Sequence, residues 1–145
     1  MKNFLKDLSL TYAAGTVGGL VNSLAAWLFG AIGITAALGV KSAPELTASF
    51  LYPRLVWGGL WGFLFLLPFL RGSVVWRGIV YSLGPALVQL FVVFPFKLGK
   101  GWLGLDLGAL TPLLVIFFNI VWGVCAAAWL YLVSEKGSST EQRAG

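Results

Sequence analysis

Apolar residues gather into four long runs, roughly 10–34, 44–70, 74–96 and 111–133, separated by short polar or glycine-containing connectors. A transmembrane helix needs about 20 such residues to cross about 30 Å of hydrocarbon. Every run meets that length. The pattern predicts an all-α integral membrane protein with four transmembrane helices in one domain, 1–133, and a polar tail, 134–145, that frays in solvent. Lys2 and Lys6 precede the first run in the manner of a signal peptide. The run is too long for a signal-peptide core and is expected to be a retained span.

Helix ends are written in the connectors. Ser42, Pro44 and Glu45 form a capping-box pattern with proline in the first turn, so the second helix is expected to begin there. Thr111 followed by Pro112 predicts a cap at the start of the fourth. Pro68 is expected to close the second run, and Pro53 and Pro85 to kink their helices.

A finer pattern lies inside the first run. Gly15, Gly19, Asn22, Ala26, Gly30 and Gly33 recur at steps of three or four and form one stripe on a helix. Val17, Leu20, Leu24 and Leu28 occupy the opposite face, which reads as lipid-facing. The stripe is a small-residue packing seam with an amide in it.

The arrangement recurs. Ser82, Ala86 and Gln89 match Gly15, Gly19 and Asn22 at an offset of 67, within "LVQ" and "LVN". Arg54, Gly58 and Gly62 match Asn119, Gly123 and Ala127 at an offset of 65, within "RLVWG" and "NIVWG". The chain therefore reads as two tandem helical hairpins related by an axis along the membrane normal. Chance similarity among common membrane residues is the competing account.

Composition narrows the function. The chain is 59% hydrophobic and 10% charged, whereas soluble domains are about a quarter charged. The net charge of +5 lies in connectors, as topology signals and headgroup contacts rather than a nucleic-acid surface. Lys2, Lys6, Arg71, Arg77, Lys136 and Arg143 fall on one side of a four-span layout; Lys41, Lys97 and Lys100 fall on the other. This bias predicts both termini in the cytoplasm. Histidine is absent, and the five acids lie outside the middles of the runs. That pattern points away from an enzyme, a metal or haem site, and a carboxylate-based proton antiporter. Cys125 stands alone in an apolar run and reads as a small packing residue. No cofactor is expected.

Four strong hydrogen-bonding side chains fall inside the runs: Asn22, Arg54, Gln89 and Asn119. Two readings compete. The amides are ties between helices, or they line a pathway. Arg54 sits about 15 Å deep if its helix starts near Pro44, where it would bind an anion, a lipid phosphate or a carboxylate. Alternatively, Pro53 ends a short interfacial helix over 43–52 and Arg54 lies at the headgroup level. Trp76, Trp102, Trp129 and Tyr131 read as interface belts, and Trp57, Trp61 and Trp122 as packing or lipid contacts. The 97–102 segment carries two lysines among glycines without phosphate-loop spacing, and is expected to be a mobile loop near headgroups.

The stretches "WRGIVYSLGPALVQLFVVFPFKLG" and "NIVWGVCAAAWLYL" resemble YagU-type bacterial inner-membrane proteins in pattern, over about half the chain. The resemblance implies a bacterial inner-membrane location and little chemistry. "GGLVNSL" is similar to the first span of GtrA-type proteins, four-span partners in moving lipid-linked sugars. The Asn-Arg-rich aromatic motif common in that family is replaced here by "PFLRGSVVW", so its function is not carried over. Small multidrug transporters share the size but carry a membrane glutamate absent here. The glycine-arginine and phenylalanine motifs of fluoride channels are not matched either.

The leading expectation is a structural or accessory subunit, or a homo-oligomer, whose seams of Gly15, Gly19, Gly58, Gly62, Gly123 and Ala127 pack against membrane lipids and other chains. The alternative is a small channel, transporter or lipid-handling protein using Arg54, Asn22, Gln89 and Asn119. A solvent-accessible cavity reaching Arg54 would favour the alternative. An exposed glycine face at Gly58 and Gly62 would favour assembly.

Overall fold

The computed structural model describes residues 2–67, 69 and 73–144, with side chains described between Asn3 and Val133. Among the described residues the chain is helical, with no strand. Helix α1 covers Lys2–Ala31 and a single turn, α2, covers Ile34–Ala37. Helix α3, Ala48–Gly62, tightens into a 3-10 turn at Phe63–Leu66. Helix α4, Val74–Val88, widens into a π-helix over Gln89–Lys97. A 3-10 segment at Trp102–Leu107 leads to α5, Thr111–Ala144. Among the described residues three helices are long and apolar enough to cross a membrane: Asn3–Ala31, Val74–Lys97 and Thr111–Val133.

Local chemistry sets several ends differently from the sequence expectation. The Ser42–Glu45 box is unused. The chain stays non-helical through Thr47, whose Oγ1 accepts from the Phe50 amide at 3.2 Å and starts α3 instead. Helix α3 then continues past Pro53, so no separate helix ends there. Thr111 does not cap α5: its buried hydroxyl has no partner among the described residues, and the helix opens on Leu110, whose carbonyl accepts from Leu114. Ser73 caps α4 by accepting from the Trp76 amide. Helix α5 continues to Ala144 through the segment expected to fray; no proline follows Pro112 to stop it. The loop after Lys97 is tied down, with the Lys100 amide donating to Phe94 and the Asp106 amide to Lys100. The proposed stop at Pro68 lies outside the described residues.

Helix α1 packs on α3 and on α5, and α5 packs on α4. The row therefore runs α3–α1–α5–α4, and α3 and α4 make no comparable contact. Glycine permits the closest approach. A Cβ on Gly58 would sit 2.8 Å from the Gly15 carbonyl oxygen, and one on Gly19 would sit 2.9 Å from that of Arg54. The second pair is equally tight: a Cβ on Gly78 would meet Gly123 at 2.7 Å. Gly58, Gly62, Gly123 and Ala127 are all buried within the chain. Leu20, Leu24 and Leu28 are exposed on the far face of α1. The central core joins Ala14, Phe65, Tyr81, Trp122, Ala126 and Ala127, and a smaller cluster joins Leu90, Phe94 and Val115.

Candidate functional site

Because α3 and α4 approach each other only toward one end, a cleft of about 510 Å³ lies between them. One wall comes from α3, with Pro53, Arg54, Trp57 and Trp61. The other comes from α4 and its π-helical extension, with Pro85, Val88, Gln89 and Val92. Gly19 and Asn22 of α1 and Asn119 and Trp122 of α5 form the floor. Lys97 and Leu98 also line it and are exposed. The structure thus brings Asn22, Arg54, Gln89 and Asn119 to one cavity. The volume falls within the range of about 300–1,000 Å³ common for small-molecule sites.

The guanidinium of Arg54 is held from two directions. Its Nη2 donates to Asn22 Oδ1 at 2.6 Å and its Nε to Ser23 Oγ at 3.0 Å. Ser23 can accept because its own proton goes to the Gly19 carbonyl at 2.7 Å. The cation also stands over the Phe50 ring, 4.8 Å from its centroid. All these partners are neutral. Among the described residues Arg54 has no carboxylate partner, and no Asp or Glu lines the cleft. The rest of its planar donor fork is available to a ligand.

The two asparagines are oriented by backbone carbonyls, which can only accept. Asn22 Nδ2 donates to the Phe118 carbonyl at 2.7 Å, which turns its oxygen toward Arg54. Asn22 therefore ties α1 to both α3 and α5. Asn119 Nδ2 donates to the Val115 carbonyl at 2.8 Å and to Gln89 Oε1 at 3.1 Å, joining α5 to α4. The Gln89 nitrogen has no partner among the described residues.

The three amides share a level. At 1.5 Å per residue, Asn22 and Asn119 lie roughly 12–14 Å from the helix ends that meet the 32–47 and 98–110 loops, and Gln89 stands beside Asn119, to which it is bonded.

Two tryptophans frame the cleft. Trp122 is 3% exposed and its Nε1 donates to the Gly15 carbonyl at 3.0 Å. Trp57 is 57% exposed at the lip. The far end narrows where Leu64 and Trp61 close on Gly84, leaving 3.1 and 3.4 Å to where a Cβ would stand.

Sequence reading missed Ser23, Phe50 and Lys97 as members of the site. Phe50 stands four residues before Arg54, the spacing at which helical side chains meet, and Ser23 adjoins Asn22. Those signals were present. Lys97 comes to the cleft through the π-helical winding, which had none.

Among the described residues no group of three His, Cys, Asp or Glu side chains is placed to hold a metal. Comparison of the chain with protein-family profiles, curated proteins and solved structures finds no match.

Proposed function

We propose that this is a four-span protein of the bacterial inner membrane that binds an anionic ligand in the cleft between α3 and α4, as a small transporter or lipid-handling protein without catalytic chemistry. One observation carries the reading: two cations, Arg54 and Lys97, and three amide side chains line a single cavity that holds no carboxylate. A cation inside a membrane costs several kcal/mol unless hydrated or paired, and that cost supports reading Arg54 as part of a binding site.

Several features support the membrane layout. Helix α3 and its 3-10 turn together rise about 30 Å at 1.5 Å and 2.0 Å per residue, enough for a fourth crossing. The amide level then lies near mid-bilayer. The excess of Lys and Arg beside the termini supports a cytoplasmic location for both. The tandem-hairpin duplication is supported by equivalent contacts. Arg54 donates to Asn22 as Asn119 donates to Gln89, and Gly15 meets Gly58 as Ser82 meets Gly123. The bacterial inner-membrane location rests on the pattern likeness to YagU-type proteins, which carries no part of the anion-binding reading.

The accessory-subunit reading relied on glycine seams open to other chains. Gly58 and Gly62 are spent against α1 instead. The narrowing at Gly84 favours a blind binding cleft over a continuous pore.

The test is extraction in mild detergent, followed by particle mass and a thermal-shift screen with inorganic phosphate and with matched cations. The reading predicts a particle of this chain alone, stabilised by phosphate in wild type and not in Arg54→Gln. A defined hetero-complex indifferent to phosphate would replace it with the accessory-subunit role.

A further inference from the structure

The shape of the cleft says more about its ligand than its charge does. The cavity opens sideways. Its lips are Trp57 on α3 and Val92 on the π-helix, which are 57% and 51% exposed. Beyond them lie further exposed apolar residues, Val56 and Leu60 on one side and Phe91 on the other. In a membrane these surfaces meet acyl chains, so the opening faces lipid rather than water. Arg54 lies behind the lips, with part of its donor fork unused. A ligand reaching it from the side needs an oxyanion at one end and an apolar body behind.

Resting on the anion-binding reading above, we infer that the ligand is an anionic phospholipid, whose headgroup phosphate carries a net negative charge with no cation beside it. Its headgroup oxygens meet Arg54, and its chain leaves between Trp57 and Val92. Guanidinium donors match phosphate oxygens two at a time, and the Asn22 and Ser23 bonds fix the plane in which that match occurs. Lys97, exposed at the rim, adds a second positive charge suited to a phosphate. The open nitrogen of Gln89 supplies a neutral donor for ester or hydroxyl oxygens. Free phosphate shares the headgroup chemistry but leaves the apolar lips unused.

The experiment uses the full chain in phosphatidylcholine vesicles containing phosphatidylglycerol, extracted gently and weighed by native mass spectrometry, with inorganic phosphate titrated in parallel. Phosphatidylglycerol should be retained over phosphatidylcholine by roughly tenfold or more, and Arg54→Gln should abolish that preference. Val92→Trp, which fills the lip, should weaken lipid retention and leave phosphate binding intact. Should Arg54→Gln fail to fold, Lys97→Gln at the exposed rim and Val92→Trp give the same discrimination. Phosphate binding without lipid enrichment would overturn the lipid assignment and spare the anion site. Binding of neither would overturn both.

Discussion

Arg54 donates to Asn22 across 2.6 Å, from the outer helix α3 to the central helix α1. The contact gives a membrane cation a fixed geometry without neutralising it. An aspartate at position 22 would have made an ion pair; an asparagine leaves the positive charge available. The same amide reaches α5 through the Phe118 carbonyl, so one side chain both orients the cation and ties three helices together.

Replacing Arg54 separates charge from shape. Arg54→Lys keeps a positive charge but loses the planar fork and its two fixed bonds, so anion affinity should fall about tenfold. Arg54→Gln should fall further. Titration calorimetry with inorganic phosphate on the two variants measures the difference; equal affinities would place the anion elsewhere.

Asn22→Leu keeps the side-chain size and removes both cross-helix bonds. It removes a second bond from the Phe118 carbonyl, which keeps its own helical bond, and leaves one edge of the guanidinium unpaired, at a cost of about 1–3 kcal/mol. Thermal unfolding in detergent should show a clear loss of stability, with anion binding weakened because Arg54 is no longer held. Unchanged unfolding would mean that the amide ties nothing.

Gly58→Ala tests the close approach of α1 and α3. The new methyl would meet backbone atoms of Gly15 and Gly19 at 2.8 and 3.1 Å, and backbone cannot swing aside. Overpacking of this kind costs roughly 1–3 kcal/mol. Leu24→Ala on the exposed face of α1 should stay within about 0.5 kcal/mol of wild type. A tolerated Gly58→Ala would show that the two helices stand further apart than described.

The paired tryptophans should behave oppositely. Trp122→Phe removes the bond to the Gly15 carbonyl and should destabilise the fold by about 0.5–1.5 kcal/mol. Trp57→Phe removes nothing that holds the helices together. It should leave unfolding unchanged while altering retained lipid. The comparison is read by unfolding and native mass spectrometry on the two variants.

Helical character and the three membrane-length helices were legible because apolar run length is a direct signature of a membrane span. The small-residue stripe of α1 was legible too, since helical period alone puts Gly15, Gly19 and Asn22 on one face. The start of α3 was not. Ser42 and Glu45 carry a capping pattern, yet Thr47 supplies the working cap, and sequence cannot rank two caps five residues apart. Asn22, Arg54, Gln89 and Asn119 stood out one by one as polar groups in apolar runs. The cleft they line did not, because it depends on how far apart α3 and α4 stand once each has packed on its own neighbour. The π-helix that brings Lys97 to the rim was equally hidden.

The most direct test of the central claim is quenching of cleft tryptophan emission by brominated lipids in phosphatidylcholine membranes. Trp57, Trp61 and Trp122 all line the cavity, so their emission reports a lipid held there. Brominated phosphatidylglycerol should quench the tryptophan emission well beyond its share of the membrane, and that excess should vanish in Arg54→Gln. Quenching in simple proportion to lipid content, identical in wild type and variant, would contradict an anion-binding cleft at Arg54.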